Sequence, residues 1–169
     1  MFSVICAPSE ESKEIGRERD KFAESHRKRI EFWKGLLERS REKTELFSNV
    51  SPSKDHWISA RSGRSGIWYN YVIGKSWARV ELQIDRGSEE VNKKIFDSFY
   101  KNKEEIESKF GDTLIWDYKE GRRSCYIRWK YEGLGLKDEE KWDTLQDKMV
   151  DAMMRLEKTF RDAIRELAI

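Results

Sequence analysis

The sequence predicts an α+β protein in which one mixed or antiparallel five-stranded sheet is combined with a long N-terminal helix and two further helices. The expected order of elements is α-β-β-β-α-β-β-α. Three stretches repeat apolar residues at three- and four-residue steps, which is the period of a helix. Five shorter runs, rich in aromatic and β-branched residues, have the character of strands. A chain of 169 residues fits one domain, so we expect an α+β core over residues 29–167 and a projecting part over residues 1–28.

The first helix is predicted to begin after Ser9, a suitable N-cap, and to run to about Lys43. At 1.5 Å per residue such a helix is roughly 50 Å long, which exceeds the width of a domain of this size. Its first turns are almost entirely charged, so they are expected to project from the core. The apolar residues Ile15 and Phe22 lie on this projecting part, and they favour contact with another chain, either a second copy in a homodimer or a different protein.

The five predicted strands cover residues 56–61, 67–73, 76–86, 114–118 and 124–131. Glycine-containing connections predict hairpins among the first three strands and between the last two. Gly87 ends the third strand, and Ser88 is expected to cap a helix that continues to Gly111. The last helix is predicted to start after Asp138, an N-cap candidate that is followed by two glutamates.

The third predicted strand, the centre of the sheet, alternates between apolar and polar residues. One side carries the apolar residues Ala78, Val80, Leu82 and Ile84, and the other carries Arg79, Glu81, Gln83 and Asp85, which we name the charged ladder. If polar residues of the neighbouring strands share the side of the charged ladder, the helices cover the apolar side and leave the ladder open, but the sequence leaves undecided whether the charged face is open or covered. The ladder is then either a solvated face joined by Arg–Glu pairs or part of a binding surface.

Neighbouring strands carry cations and aromatic rings that could join the charged ladder. The candidates for nucleic-acid binding are Arg61, Arg79, Arg128, Lys130, Trp57, Trp68 and Tyr126. Aromatic rings stack on unpaired bases while cations bind phosphates, so this combination suits single-stranded nucleic acid. Without the register of the strands, the sequence leaves open whether these residues share one side of the sheet.

The residue pattern gives little support for a catalytic site. Glu81 and Asp85 are the one acidic pair worth testing as a metal-dependent nuclease centre, but position 83 holds Gln83 where such a site usually has a lysine. The two histidines and two cysteines lack the spacing of a zinc site or a disulfide framework. We therefore expect a non-catalytic protein without a cofactor or a bound metal.

Composition and charge narrow the classes of partner. The net charge of +2 argues against a strongly basic nucleic-acid binder, but the predicted strand regions 54–86 and 113–131 hold eleven Lys and Arg against five Asp and Glu. No run of about 18 apolar residues is present, so we expect no membrane partner. The cysteine content favours a reduced, cytoplasmic location.

Several segments resemble the family known as domain of unknown function 4268. The resemblance rests on RIEFW at residues 29–33, SPSKDHWI at 51–58 and ARVELQIDR at 78–86, with shorter matches at 95–97, 114–116 and 122–124. It covers about residues 29–167. The resemblance implies no established activity and no catalytic residue. It does imply a prokaryotic protein with a DNA-associated accessory role, because some members carry this domain after a restriction-endonuclease-like nuclease domain.

Overall fold

The computed structural model describes residues 9–168, so the first eight residues of the predicted projecting part lie outside the described residues. The helices are α1 (Glu10–Lys43), α2 (Glu89–Tyr100), α3 (Lys103–Phe110) and α4 (Trp142–Arg165). The strands are β1 (Trp57–Arg61), β2 (Ile67–Ile73), β3 (Trp77–Ile84), β4 (Ile115–Asp117) and β5 (Cys125–Glu132). These elements confirm the α+β class and its five-stranded sheet.

The five strands form one antiparallel sheet in the order β1-β2-β3-β5-β4, with β3 in the centre as predicted. Tight connections at residues 62–66 and 74–76 join the first three strands as hairpins. The connection from β3 to β4 passes through α2 and α3, which lets β5 pair with β3 and leaves β4 at the edge.

The apolar side of the sheet is covered by helices, which decides a point that the sequence left open. Ala78, Val80, Leu82 and Ile84 of β3 are fully buried there. The helices α4 and α2 pack on this side, and α1 packs along α4. Burial of each large apolar side chain contributes about 1.5–3 kcal/mol, so this layer supplies most of the driving force for folding. Within residues 9–168, no helix is long and apolar enough to cross a membrane.

The two halves of α1 differ sharply in burial. The hydroxyl of Ser9 accepts a hydrogen bond from the Ser12 N–H and caps the helix, as the sequence predicts. Phe32, Trp33, Leu36 and Leu37 in the second half are fully buried. In the first half the side chains of Ile15 and Phe22 are 47% and 64% exposed. The second half therefore anchors the helix to the core, while the apolar residues of the first half face solvent.

The helix predicted from Ser88 to Gly111 is in fact two helices, so that prediction was wrong. Lys101 and Asn102 separate α2 from α3, and the Asn102 N–H bonds the carbonyl of Phe99 three residues earlier. A polar residue followed by Glu104 and Glu105 is a signal for a new helix start. Both helices bury apolar residues, among them Phe99 in α2 and Phe110 in α3.

The last helix begins later than predicted. Asp138 does not cap it, because the Asp138 carboxylate accepts a hydrogen bond from the N–H of Gly135 instead, at 2.9 Å. One turn of 3₁₀ helix, Glu139–Lys141, follows, and α4 starts at Trp142.

Candidate nucleic-acid interface

The register of the strands places all seven nucleic-acid-binding candidates on one side of the sheet, opposite the helices. We call this side the ladder face. Residues paired across antiparallel strands share a face, and the pairs form three rows from β1 toward β4. The rows are Trp57–Val72–Arg79–Lys130, Ser59–Asn70–Glu81–Arg128–Ile115 and Arg61–Trp68–Gln83–Tyr126–Asp117.

Glu81 lies at the centre of the ladder face and organises two arginines. Its Oε1 atom accepts hydrogen bonds from Nε of Arg79 at 2.8 Å and from Nε of Arg128 at 3.0 Å. Glu81 is only 2% exposed although no helix covers this side of the sheet. Its burial comes from the neighbouring side chains themselves. A buried carboxylate needs such charged donors to offset its loss of hydration.

The second carboxylate oxygen of Glu81 belongs to an amide network. Its Oε2 atom accepts a hydrogen bond from Nδ2 of Asn70 at 3.0 Å, and the same amide nitrogen reaches Oε1 of Gln83 at 2.8 Å. The hydroxyl of Ser59 donates to Oδ1 of Asn70 at 2.7 Å. This network links three strands, and it holds the carboxylate of Glu81 in one orientation.

Asp117 on the edge strand completes the ion-pair network. It accepts hydrogen bonds from Nη1 of Arg128 and, at 2.9 Å, from Nη2 of Arg122. Partial burial alone would raise the pKa of Asp117, but the hydrogen bond from Arg122 and the charge of Arg128 outweigh it and hold the pKa below its usual value. Asp117 is therefore a carboxylate at neutral pH. Together with Glu81, which binds Nε, it fixes the guanidinium group of Arg128.

Aromatic rings lie against most of the cations on the ladder face. Guanidinium or ammonium groups approach ring centroids in five cases: Arg79 and Lys130 on Trp77, both at 5.0 Å, Arg128 and Arg122 on Tyr126 at 4.2 and 5.2 Å, and Arg61 on Trp68 at 5.9 Å. Cations at these distances are attracted to the face of the ring. Trp57 differs from these aromatic residues because it is 44% exposed.

The central arginines retain free donors. Nε of each arginine is bound to Glu81, and Nη1 of Arg128 is bound to Asp117. Within residues 9–168, the remaining donors, Nη1 and Nη2 of Arg79 and Nη2 of Arg128, have no hydrogen-bond acceptor. These donors border a hollow of about 310 Å³ that also contacts His56 and Trp57. The hollow can accept an anionic group beside a flat ring.

The two carboxylates proposed as a nuclease pair lie in different surroundings. Glu81 is bound by Arg79 and Arg128, whereas Asp85 follows the end of β3 and accepts hydrogen bonds from Arg123 and from the N–H of Gly87. Burial acts to raise the pKa of Asp85, but these donors hold it below its usual value. Within the described part of the chain, no three His, Cys, Asp or Glu side chains converge as metal ligands.

Sequence reasoning missed three residues of this surface. Trp77 continues the alternation of the charged ladder by one step, so the pattern itself contained the signal. Asp117 and Arg122 belong to the second hairpin, and only the pairing of Asp117 with Tyr126 brings them to the same face. No sequence pattern marks that register.

The fold and this surface define a class of protein: a small α+β protein whose antiparallel sheet is covered by helices on one side and exposes cations and aromatic rings on the other. The chain matches the family described as Domain of unknown function (DUF4268) over residues 28–164, and it belongs to that family. No curated protein and no solved structure matches the chain.

Proposed function

We propose that the ladder face binds single-stranded nucleic acid and that the protein is a non-catalytic module. The observation that supports this most is the pair of central arginines, which Glu81 orients while their free donors point away from it. Preorganised arginines are effective phosphate ligands because less conformational freedom is lost on binding. The exposed ring of Trp57 beside them suits stacking on a base.

The charge of the ladder face sets an upper limit on the electrostatic part of the affinity. Its strands carry the cations Arg61, Arg79, Arg128 and Lys130 against the carboxylates Glu81, Asp117 and Glu132. This balance is only slightly positive, so stacking must supply a large share of the binding energy. A base stacked on an aromatic side chain contributes about 1–3 kcal/mol, which favours unpaired bases over a duplex.

Fluorescence anisotropy with labelled single-stranded and duplex oligonucleotides tests this proposal. If two or three phosphates are bound, the slope of log K against log salt should lie between about −1.4 and about −2.1, since each phosphate on a single strand contributes about −0.7. We expect the duplex to bind more weakly. Failure of single strands to bind at low salt contradicts the proposal.

Two exposed aromatic residues on opposite sides of the molecule provide a matched pair of variants. Trp57→Ala removes the exposed ring of the ladder face and should weaken binding about tenfold. Tyr100→Ala removes a comparably exposed ring on α2, on the helical side, and should leave affinity unchanged. Equal losses from both variants would exclude the ladder face as the binding surface.

The biological role that we propose is that of an accessory in a prokaryotic DNA restriction or defence system. Support comes from the family resemblance, in which the domain also occurs after restriction-endonuclease-like nuclease domains. The protein would then hold a strand while a separate nuclease acts on it. Co-purification of the chain with a nuclease encoded beside its gene, and stimulation of cleavage by added protein, test this role.

The exposed apolar residues of α1 favour homodimerisation as a second candidate function. Ile15, Phe22 and Ile30 are all exposed. Phe22→Glu should convert a dimer into a monomer in light-scattering measurements, whereas Ala23→Glu, one residue further along the same helix, should not. A monomer mass for the unmodified chain contradicts this candidate.

A further inference from the structure

A second hollow, of about 350 Å³, lies beside the turn between β2 and β3. Its lining shares no residue with the hollow on the ladder face. Three separate segments form its walls: α1, the β2–β3 turn, and the linker before α4. The polar and charged residues that they contribute are Ser25, Lys28, Arg29, Lys75 and Lys137.

Each wall of this second hollow, which we call the basic cleft, supplies at least one cation. Lys28 is bound to Glu139 at 3.0 Å and to Glu24 at 3.7 Å. Arg29, Lys75 and Lys137 make no ion pair with a carboxylate of residues 9–168. Three cations from three segments therefore converge on one cleft without their charge being offset by partners.

Arg29 provides an independent observation, because its donors are poorly paired within the described residues. Its Nε atom is buried and has no hydrogen-bond acceptor within the described residues. The one hydrogen bond of its side chain runs from Nη1 to the carbonyl oxygen of Lys54, at a long 3.4 Å. Buried donors in folded proteins are almost always paired, so the guanidinium group of Arg29 has hydrogen-bonding capacity that the described residues do not use.

Backbone hydrogen bonds hold two walls of the cleft together. The N–H groups of Leu136 and Lys137 donate to the carbonyl oxygens of Gly74 and Lys75, at 2.9 and 3.1 Å. A Cβ atom at Gly135 would lie 2.5 Å from the carbonyl group of Lys75, so only glycine permits this approach. The backbones that carry Lys75 and Lys137 are thus fixed relative to each other.

We propose that this cleft binds a phosphate group, with Arg29 as the inner donor and Lys75 and Lys137 as cations at its rim. Phosphate presents at least three acceptor oxygens and nearly two negative charges at neutral pH. It can therefore accept hydrogen bonds from donors on all three walls, and it carries more negative charge than a single carboxylate. This inference concerns a site separate from the ladder face and does not depend on the function proposed for that face.

Nuclear magnetic resonance on the full chain, with pyrophosphate as the probe, tests the site. The arginine Nε–Hε signal of Arg29, assigned by its loss in Arg29→Lys, should shift on titration. Lys75→Gln/Lys137→Gln should weaken binding about tenfold through loss of two positive charges. Both lysines are exposed, so this variant should fold normally. Lys101→Gln/Lys109→Gln removes the same charge from exposed positions elsewhere and should have no effect.

Oligonucleotides with and without a 5′-phosphate identify the source of the phosphate group. A shift of the Arg29 signal with the phosphorylated strand alone indicates a strand end, and a shift with both indicates backbone phosphates. A shift with pyrophosphate alone indicates a free phosphate compound. All three support the site. An unmoved Arg29 signal at millimolar pyrophosphate, or equal weakening in the two lysine variants, overturns it. Trp57→Ala should leave pyrophosphate binding unchanged, which separates this test from that of the ladder face.

Discussion

The two faces of the sheet bury their central residues in opposite ways. On the helical side, residues such as Leu82 are covered by α4, and the benefit is the removal of apolar surface from water. On the ladder face, the adjacent residue Glu81 is nearly as buried with no helix above it, because arginine and asparagine side chains surround it. A face can therefore be well packed and still be open to a ligand.

The largest effect is expected on the helical side. Leu82→Ala should lower the free energy of unfolding by about 3 kcal/mol, because it removes buried methyl groups from beneath α4 and leaves a cavity. Denaturant titration measures this loss, and added salt should not change it. A loss below about 1 kcal/mol would show that the helices do not pack tightly against the sheet.

A smaller effect is expected at the centre of the ladder face. Glu81→Gln keeps the shape of the side chain but removes the charge that binds Arg79 and Arg128. We expect a loss of about 2 kcal/mol, below the 3–5 kcal/mol typical of fully buried pairs, because these arginines are 23% and 17% exposed and can recruit water.

Glu132→Gln is the matched control for Glu81→Gln. Glu132 lies on the same face and pairs with Lys130, but its side chain is largely exposed. Its replacement should change the free energy of unfolding by less than about 0.5 kcal/mol. If both variants lose the same amount, the central network contributes nothing beyond an ordinary surface ion pair.

The pH dependence of the free energy of unfolding should show how much Asp117, on the edge strand, contributes to the ion-pair network. Because the pKa of Asp117 is lower in the folded protein than its usual 3.8, its contribution is present above about pH 4 and is lost as pH falls through the folded-state value. The stability difference between the unmodified protein and Asp117→Asn should therefore shrink on acidification. A difference that stays constant from pH 6 to about pH 2 contradicts this assignment.

The smallest effect is expected for two hydroxyl groups that are buried in the apolar core, away from the ladder face. The hydroxyls of Ser40 and Tyr71 are buried among apolar residues, and neither makes a hydrogen bond of normal geometry. Burial raises the pKa of Tyr71. Ser40→Ala combined with Tyr71→Phe should change stability by less than about 1 kcal/mol, because both unpaired groups disappear together. A loss above about 2 kcal/mol would reveal a real hydrogen bond between them.

The alternation of residues in β3 was enough to predict which side of that strand would be apolar. Strand period is a local property, so the sequence contains it directly. The assignment of Trp57, Arg61 and Arg128 to the same face required the register between strands. Register depends on turn geometry and on packing across the sheet, and neither can be read from one segment alone.

The missed features have physical reasons of the same kind. The break at Asn102 could not be predicted from the spacing of apolar residues, because Ile95, Phe99 and Ile106 keep near-helical spacing across it. The basic cleft could not be predicted from the sequence, because Arg29, Lys75 and Lys137 are distant in sequence and meet only through the packing of α1 and the linker. Local patterns predicted the elements, and the contacts between elements produced both candidate sites.

The shared acceptor at Glu81 also has a consequence for how this protein can vary among its relatives. Nε of Arg79 and Nε of Arg128 share one oxygen atom of Glu81, so the loss of this carboxylate removes the acceptor of two donors at once. A change at position 81 is therefore tolerated only together with changes at positions 79 and 128. We expect these three positions to be inherited as a set.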